Sequence, residues 1–225
     1  MKLDGAIVVI TGSSRGFGKA LAGEFLKAGA KVVTSSNSAM ESKEAVGIFI
    51  RADVRKESAV LELAEKTVKR FGKIDIWINN AGIQIPQKSV EELDFKRVHD
   101  MFEVNLFGTM YGAKAALLQM KKQQFGTIIN ILSTAALDGR ANLSSYCASK
   151  FAIAGFSKSL RLEAQPHHIQ VINVYPGGMQ THLYDEHPPA DYLEYMKPDS
   201  VAQKVVSNMK QESPELELII KRPKN

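Results

Sequence analysis

Cysteine and tryptophan are nearly absent from this chain of 225 residues, which contains one of each. With Cys147 as the single cysteine, the chain can form no internal disulfide and no zinc site built from several cysteines. Apolar runs are also short, and none approaches the roughly 20 residues of a membrane-spanning helix. The residues after Met1 lack the pattern of a secretory signal. We therefore expect a cytoplasmic protein with no membrane contact.

The net charge is also small: 29 Lys and Arg residues against 24 Asp and Glu residues leave +5. No block of basic residues and no row of stacked aromatic residues is present, so we predict no nucleic-acid partner. The five histidines follow no ligand pattern, and we expect no metal site. A small positive excess suits a phosphorylated ligand.

Short apolar runs alternate with segments of helical spacing along the whole chain. The runs lie at about residues 6–11, 31–35, 48–51, 74–78, 126–132, 169–175 and 216–220. Runs that are apolar throughout are typical of parallel strands buried on both faces. Without a repeat or a linker, the alternation predicts one α/β domain over residues 1–225. In it, about seven strands form a doubly wound parallel sheet with helices on both faces.

A glycine-rich turn follows the first apolar run. Gly12, Gly16 and Gly18 stand between the predicted strand and a segment of helical spacing that starts at Lys19. Glycines let backbone N–H groups approach a diphosphate, and a helix N-terminus adds a favourable partial charge. A plain tight turn is the alternative, but the position between strand and helix favours nucleotide binding.

The end of the second run carries no acidic residue. An Asp or Glu at that point usually binds the ribose 2′-hydroxyl of NAD, whereas here Ser36 and Asn37 have no charge to repel a 2′-phosphate. Arg15 in the glycine-rich turn can meet such a phosphate directly. We therefore favour NADP(H) over NAD(H), the alternative being that Arg15 projects into solvent. The segment up to Gly47 has room for only a turn or a stub of helix.

Small and polar residues also end the later runs, where an open parallel sheet binds its ligands. Asp53 suits the amino group of an adenine, or it is the N-cap of the next helix. Trp77, in mid-strand, is expected in the core. Asn105 interrupts an apolar helical segment, so its amide needs a partner. It either braces the backbone or holds a water, and we expect a kink there.

Tyr146 and Lys150 are four residues apart in a helical segment, which places both on one face of the helix. A phenol has a reference pKa of about 10, and a nearby ammonium group lowers that pKa because it favours the phenolate. Such a pair also arises by chance on helices. Its meaning depends on the motifs around it, among which Ser133 ends the fifth run thirteen residues earlier.

These motifs occur in one order: Thr11-Gly12-x-x-x-Gly16-x-Gly18, Asn79-Asn80-Ala81-Gly82, Asn105, Ser133, Tyr146-x-x-x-Lys150 and Pro176-Gly177. In this the chain resembles the short-chain dehydrogenase/reductase family, from about Ala6 to its end. The resemblance implies a Rossmann-type fold and an NAD(P)-dependent enzyme that interconverts an alcohol and a carbonyl on a small molecule without a metal. It also implies a homodimer or homotetramer.

The resemblance further implies the roles of single residues. Tyr146 would be the general acid/base, and Lys150 would bind the nicotinamide ribose and lower the pKa of Tyr146. Ser133 would bind the substrate carbonyl together with Tyr146, and Asn105 would hold a water in the proton relay. The residues expected to bind the cofactor are Gly12, Ser14, Arg15, Gly16, Phe17, Gly18, Ser36, Asn37, Asp53, Val54, Asn80, Ala81, Gly82, Tyr146, Lys150, Pro176, Gly177 and Thr181.

The chain departs from the family pattern in two short segments, after the second run and between Gly178 and Pro198. The second contains Tyr184, Tyr192 and Tyr195, and its length predicts an open or shallow pocket that tolerates varied carbonyl compounds. The helices carrying Asn105 and Tyr146 are expected at a subunit interface. Their small residues are Ala113, Ala116, Ala148, Ala152 and Gly155.

Two other classes of function remain open. One is a non-catalytic NAD(P)-binding sensor or scaffold of the same fold. The other is a sugar-nucleotide epimerase or dehydratase, which needs a larger C-terminal part than this chain offers.

Overall fold

Seven parallel strands form one sheet in the computed structural model, which describes residues 2–38 and 47–222. The strands are β1 (Ile7–Thr11), β2 (Lys31–Ser35), β3 (Ile48–Phe49), β4 (Ile76–Asn79), β5 (Gly126–Ile131), β6 (Ile169–Pro176) and β7 (Glu217–Ile220). Their order is β3-β2-β1-β4-β5-β6-β7. The predicted doubly wound parallel sheet is confirmed. The order reverses between β1 and β4, and a crevice for a ligand opens at such a point.

Helices cover both faces of this sheet. They are α1 (Gly16–Lys27), α2 (Glu57–Phe71), α3 (Phe95–Phe102), α4 (Gly108–Gln123), α5 (Ser144–Ala164) and α6 (Pro198–Lys210). One core packs α1 and α6 on the sheet, and the other packs α2, α4 and α5. Trp77 is fully buried in the second core, as predicted. Within the described ranges, no helix has the length and apolar character to cross a membrane.

Asn105 lies in a π-helical turn, Glu103–Phe107, that joins α3 to α4. Such a turn holds one more residue than an α-helical turn, so it breaks the regular pattern of side-chain positions. The predicted irregularity at Asn105 therefore takes the form of a π turn. The turn points the amide of Asn105 away from its own helix, and it is fully buried.

The predicted third strand is shorter than expected, and one capping prediction is wrong. β3 has two residues rather than four, although Ile50 N–H still donates to Thr34 O and Ala52 N–H to Ser36 O. Asp53 is not the N-cap of α2, because that position belongs to Lys56. The turn or helical stub expected before Gly47 falls largely on residues 39–46, which lie outside the described ranges.

The small residues of α4 do not face outward, so their predicted place at a subunit interface is wrong. Ala113 and Ala116 are fully buried in the second core. Their side of the helix lies so close to the sheet that a Cβ on Gly112 would come 2.8 Å from Trp77 Nε1. On α5 the exposed residues include Ala148 and Gly155, while Ala152 is half-buried.

Candidate active site

The glycine-rich turn packs directly against the turn that follows β4. Gly12 has a φ of 63°, and a Cβ there would lie 2.6 Å from the Cα of Ala81. Asn80 Nδ2 donates to the carbonyl oxygens of Thr11 and Gly12, at 2.9 Å in each case. A Cβ on Gly18 would overlap the Gly12 oxygen. These contacts thus hold the two turns together at the carboxyl edge of the sheet.

A cleft of about 590 Å³ runs along the carboxyl ends of the strands. All of the residues expected to bind the cofactor line it, from Gly12 in the first turn to Thr181 after β6. Ser133 lines it too, whereas Asn105 lies behind its wall. The structure therefore brings the predicted residues together, and their contact with a cofactor stays a prediction.

Tyr146, Lys150 and Ser133 meet at one end of this cleft. Tyr146 and Lys150 are 7% and 5% exposed, and Lys150 Nζ lies 5.8 Å from the centre of the Tyr146 ring. The same Nζ donates to Ile131 O at 3.1 Å. The Ser133 hydroxyl accepts from Ala135 N–H at 3.1 Å, and it lies close enough to Tyr146 to lower the pKa of that phenol. A hydroxyl, a phenol and an amine thus converge in a largely buried corner.

The structure corrects the expectation that Lys150 keeps the pKa of Tyr146 low. Burial raises the pKa of Tyr146 to about 12, and the opposing effects come from the hydrogen bond with Ser133 and the charge of Arg140. Burial also lowers the pKa of Lys150 to about 8, since an ammonium group loses its hydration there. Desolvation therefore dominates both groups, so the phenol is protonated and the amine titrates near neutral pH.

The side chain of Asn105 braces the backbone behind the site. Its Oδ1 accepts from Ile83 N–H at 2.9 Å, and its Nδ2 donates to Ile83 O at 3.0 Å. Nδ2 also donates to Ser149 Oγ at 3.2 Å, and Ser149 in turn donates to Tyr146 O at 2.8 Å. Of the two alternatives for Asn105, the structure shows that it braces the backbone, and its role in holding a water stays a prediction. Ser149 was missed because the sequence shows only a serine before Lys150.

Two arginines that the sequence did not single out lie beside the adenosine end of the cleft, in contact with lining residues. Arg55 donates to both carboxylate oxygens of Asp53, which lowers the pKa of that carboxyl group. Arg51 donates through Nε to Asn37 O at 2.9 Å. A guanidinium group therefore stands beside the position expected to face a ribose 2′-phosphate. The sequence held no sign of this, because the contact depends on how residues after β3 lie against those after β2.

The segment 178–197, which we call the lid, returns to its own start. Gln180 N–H donates to Met196 O at 2.9 Å, and Met196 N–H donates to Gly178 O at 3.1 Å. Between them Tyr184, Tyr192 and Tyr195 pack edge to face or tilted, with ring centres 5.4 to 5.9 Å apart. Tyr184 lines the cleft, and burial raises its pKa, helped by the nearby Tyr146.

Ion pairs connect the lid to three other parts of the chain. They are Arg97–Glu186 at 2.7 Å, Arg222–Asp191 at 2.6 Å and Arg15–Asp185 at 4.0 Å. Arg15 thus faces a lid carboxylate rather than solvent alone. The predicted tolerance of the pocket for varied carbonyl compounds stays a prediction. His182 in the lid is half-exposed and contacts Asp185 at 3.1 Å.

In the described part of the chain, no group of three or more His, Cys, Asp or Glu side chains is placed to hold a metal ion.

Known proteins resemble this chain along most of its length. Residues 6–191 match the family model of short chain dehydrogenases. Mouse L-fucose dehydrogenase is 35% identical over 190 residues, which cover 82% of this chain and 69% of that protein. An uncharacterised oxidoreductase of Thermotoga maritima is 36% identical over 190 residues, covering 80% of this chain and 74% of that one.

Solved structures give the same result. The 3-ketoacyl-(acyl-carrier-protein) reductase of Brucella melitensis, complexed with NADH, superposes with a TM-score of 0.86 at 28% identity, covering 97% of this chain and 98% of that one. The alcohol dehydrogenase of Thermococcus sibiricus, complexed with 5-hydroxy-NADP, gives a TM-score of 0.87 at 26% identity, with 99% and 100% covered.

Proposed function

This chain belongs to the short-chain dehydrogenase family, and from that premise we propose that it is an NADP(H)-preferring oxidoreductase that interconverts an alcohol and a carbonyl. The substrate is a small or medium-sized ketone or aldehyde, or the matching alcohol. The observation that carries the proposal is the meeting of Tyr146, Ser133 and Lys150 at one end of a cleft whose other end is a glycine-rich turn.

The residues of the cleft fit a dinucleotide. Gly12 and Gly18 allow the two turns to pack closely, since a Cβ at either would collide with the other turn. The glycine-rich turn opens the N-terminus of α1, where a phosphate charge is favoured. A bound nicotinamide supplies the hydride. The chain would supply the rest: Asn80 keeps the two turns together, and Lys150 reaches toward the ribose from α5.

The proton chemistry follows from the state of Tyr146. In reduction the phenol donates its proton to the carbonyl oxygen while Ser133 donates a hydrogen bond to the same oxygen. With a pKa of about 12, Tyr146 is protonated at neutral pH and ready for this step. In oxidation the phenolate is needed, and forming it at pH 7 costs roughly 7 kcal/mol, at about 1.36 kcal/mol for each pKa unit. A protonated Tyr146 thus suits the proton transfer of the reduction step.

The preference for NADP(H) is supported by charge at the adenosine end. Ser36 and Asn37 bring no carboxylate, and the guanidinium group of Arg51 stands against Asn37. A phosphate dianion gains from such a group because the hydrogen bonds are charge-assisted. NAD(H) is the alternative, since the solved relatives include an NADH complex as well as one with an NADP derivative.

We also propose a homodimer or homotetramer that works in the cytoplasm. Outward-facing apolar side chains support the assembly, namely Leu118 on α4 and Phe151 and Leu162 on α5, which are 52%, 46% and 71% exposed. Large exposed apolar residues are a common feature of interfaces. The measurement is the mass in solution by light scattering, with Phe151→Asp expected to lower it.

Steady-state oxidation of NADPH and of NADH, side by side, tests the proposed function. The panel holds ketones and aldehydes for reduction, and L-fucose with NADP⁺ or NAD⁺ for oxidation, because one relative is an L-fucose dehydrogenase. Turnover with NADPH exceeding that with NADH supports the proposal. Preference for NADH contradicts the cofactor assignment. Binding of NADPH without turnover of any compound favours a non-catalytic sensor or scaffold instead.

A further inference from the structure

Arg222 lies two residues after β7 and contacts the lid in two ways. Its Nη1 donates to Asp191 Oδ2 at 2.6 Å, and its guanidinium carbon lies 5.1 Å from the centre of the Tyr195 ring. A guanidinium group over an aromatic ring is attracted to the electrons of the ring face. One side chain from outside the lid thus holds both a carboxylate and an aromatic ring of the lid.

The sheet fixes the backbone from which Arg222 reaches the lid. Pro176 is paired with Ile220 in the register of β6 and β7, and Gly177 N–H donates to Ile220 O at 2.9 Å. A Cβ on Gly177 would lie 3.5 Å from the backbone nitrogen of Arg222. Arg222 therefore stands at the carboxyl edge of the sheet, beside the turn from which the lid departs.

Tyr195 connects Arg222 to the wall of the cleft. Its ring packs on the backbone of Gly178, where a Cβ would come 2.5 Å from Cε2 of the ring. It also packs edge to face against Tyr184, with ring centres 5.4 Å apart and 76° between the ring planes. Tyr184 lines the cleft, as do Ser133 and Tyr146. Because packed rings leave little free space, a shift of Tyr195 moves the wall that Tyr184 forms.

From these contacts we propose that Arg222 is a positioning residue for the substrate, which holds Tyr195, and through that ring Tyr184, in the wall of the cleft. The inference rests on the proposed function and adds a residue that tunes which carbonyl compounds the site accepts. A large carbonyl compound reaches the ring of Tyr184, whereas a small one contacts only Ser133 and Tyr146. Arg222 therefore affects large substrates selectively.

The contacts of Arg222 matter more for the lid than for the whole fold. The side chains of Arg222 and Asp191 are 37% and 43% exposed, and exposed ion pairs contribute little to the free energy of unfolding. The lid is a short segment, closed on itself by the backbone hydrogen bonds from Gln180 to Met196 and from Met196 to Gly178. A loss that is small for the whole chain is therefore large for such a segment, which can open by itself.

The first test is steady-state reduction with NADPH, measured on the largest and the smallest carbonyl compounds that the wild-type protein reduces. Arg222→Gln should raise KM for the large compound by roughly three- to tenfold, as for loss of an exposed ion pair and a cation–π contact. KM for the small compound, kcat for both and NADPH affinity should stay within about twofold. Arg222→Lys keeps a charge that can pair with Asp191, so it should restore most of the lost affinity.

Hydrogen exchange followed by mass spectrometry tests the same contact without any turnover. The N–H groups of Gln180 and Met196 donate the bonds that close the lid, so their exchange reports how often the lid opens. Arg222→Gln should speed exchange in peptides that cover residues 178–197 by roughly three- to tenfold. Peptides from β5 should be unchanged.

A matched control and a second background separate positioning from general damage. Arg70 is also exposed and lies over a ring, with its guanidinium carbon 5.6 Å from the centre of Phe71 at the end of α2. Arg70→Gln should change neither KM nor exchange in the lid. Once Tyr184→Ala has removed the ring in the wall, Arg222→Gln should raise KM for the large compound by less than about twofold further.

Any one of four results would overturn the inference. They are an unchanged KM for the large compound in Arg222→Gln, an equal rise in KM for both compounds, the same rise in the Tyr184→Ala background, and unchanged exchange in the lid. In each case the wild-type protein still reduces carbonyl compounds, so the proposed function stands. No turnover of any carbonyl with either nucleotide overturns the proposed function and, with it, the role of Arg222 in positioning a substrate.

Discussion

The two ends of the cleft are built by different means. At the cofactor end two turns of the main chain pack against each other: Thr11 Oγ1 accepts from the backbone N–H groups of Asn80 and Ala81 at 3.1 and 3.2 Å, and the turns lie in van der Waals contact. At the substrate end the walls are side chains, with three packed tyrosines and ion pairs to other elements. The cofactor end is thus held by the turns that follow the strands of the sheet. The substrate end is held by side-chain contacts that single substitutions can change.

This difference explains what each end can do. Many sequences can form the same main-chain wall, provided that glycine stands where the two turns touch. Such a wall therefore suits a ligand that a whole family shares. A wall of side chains can change without loss of the sheet, so it suits a substrate that differs from one member to the next. Loops on a rigid scaffold commonly carry specificity in this way. The comparison predicts large, general losses at the first end and selective losses at the second.

The largest effect should come from Gly12→Val at the cofactor end. Its Cβ would press on the Cα of Ala81, and its φ of 63° is strained for a branched residue. We expect loss of measurable NADPH binding by fluorescence titration and about 2–3 kcal/mol lower stability in denaturant unfolding.

A matched control is Gly23→Ala, since a Cβ on Gly23 meets nothing within 4 Å. That substitution lies inside α1, and it should raise stability by about 0.5–1 kcal/mol and leave NADPH binding unchanged. Equal losses for Gly12→Val and Gly23→Ala would show that the close approach to Ala81 does not matter.

The pH dependence of reduction should be the next largest effect. Lys150 has its pKa lowered to about 8, so its ammonium is charged below that pH and lost above it. Tyr146 stays protonated until about pH 12. We expect kcat/KM for reduction to be flat below pH 8 and to fall by up to about tenfold per pH unit above it.

The control for this profile is Lys150→Arg, whose guanidinium keeps its charge throughout the range. The fall near pH 8 should disappear in that variant even if its overall rate is lower. An unchanged fall would assign the titration to another group.

How much of this the sequence could reveal differs between the two ends as well. The glycines, Asn80 and the Tyr146–Lys150 pair were all predicted, because their signals are local: a turn after an apolar run, or a spacing of four on a helix. The contact of Arg51 with Asn37 was not, because it depends on how two segments lie side by side. The pKa of Tyr146 was expected to be low and is raised, since burial depends on the packed fold.

Two errors have similar causes. Asp53 was a candidate N-cap because its residue type suits that position, yet α2 begins later and Asp53 bonds Arg55 instead. Ala113 and Ala116 were placed at an interface because small residues permit one, yet the phase of the π turn and of α4 points them into the core. Composition alone does not give the rotation of a helix about its axis.

A smaller, selective effect at the adenosine edge should come from Arg51→Gln. Loss of one charge-assisted contact should weaken NADPH binding by roughly tenfold, and NADH binding should stay within about twofold. Binding is measured by titration of the intrinsic or nicotinamide fluorescence. The control is Arg70→Gln, which is remote from the cleft. An equal loss with both nucleotides would assign Arg51 a structural role and not one in recognising the 2′-phosphate.

The smallest effect should come from Glu186→Gln at the substrate end, which removes the ion pair with Arg97. Both side chains are well exposed, at 41% and 62%, so stability should change by less than about 1 kcal/mol. We expect KM for the carbonyl to shift by no more than a few-fold, while NADPH binding is unchanged. A large loss of NADPH affinity would mean that the lid and the cofactor end are not as independent as the comparison holds.

The central claim, that Tyr146 is the proton donor at a hydride-transfer site, is tested most directly by Tyr146→Phe. NADPH affinity and the turnover of a reducible carbonyl are measured on the same preparation. The account predicts unchanged NADPH affinity with kcat/KM lowered by roughly 10²- to 10⁴-fold, as for loss of a general acid. Full activity in Tyr146→Phe would contradict it.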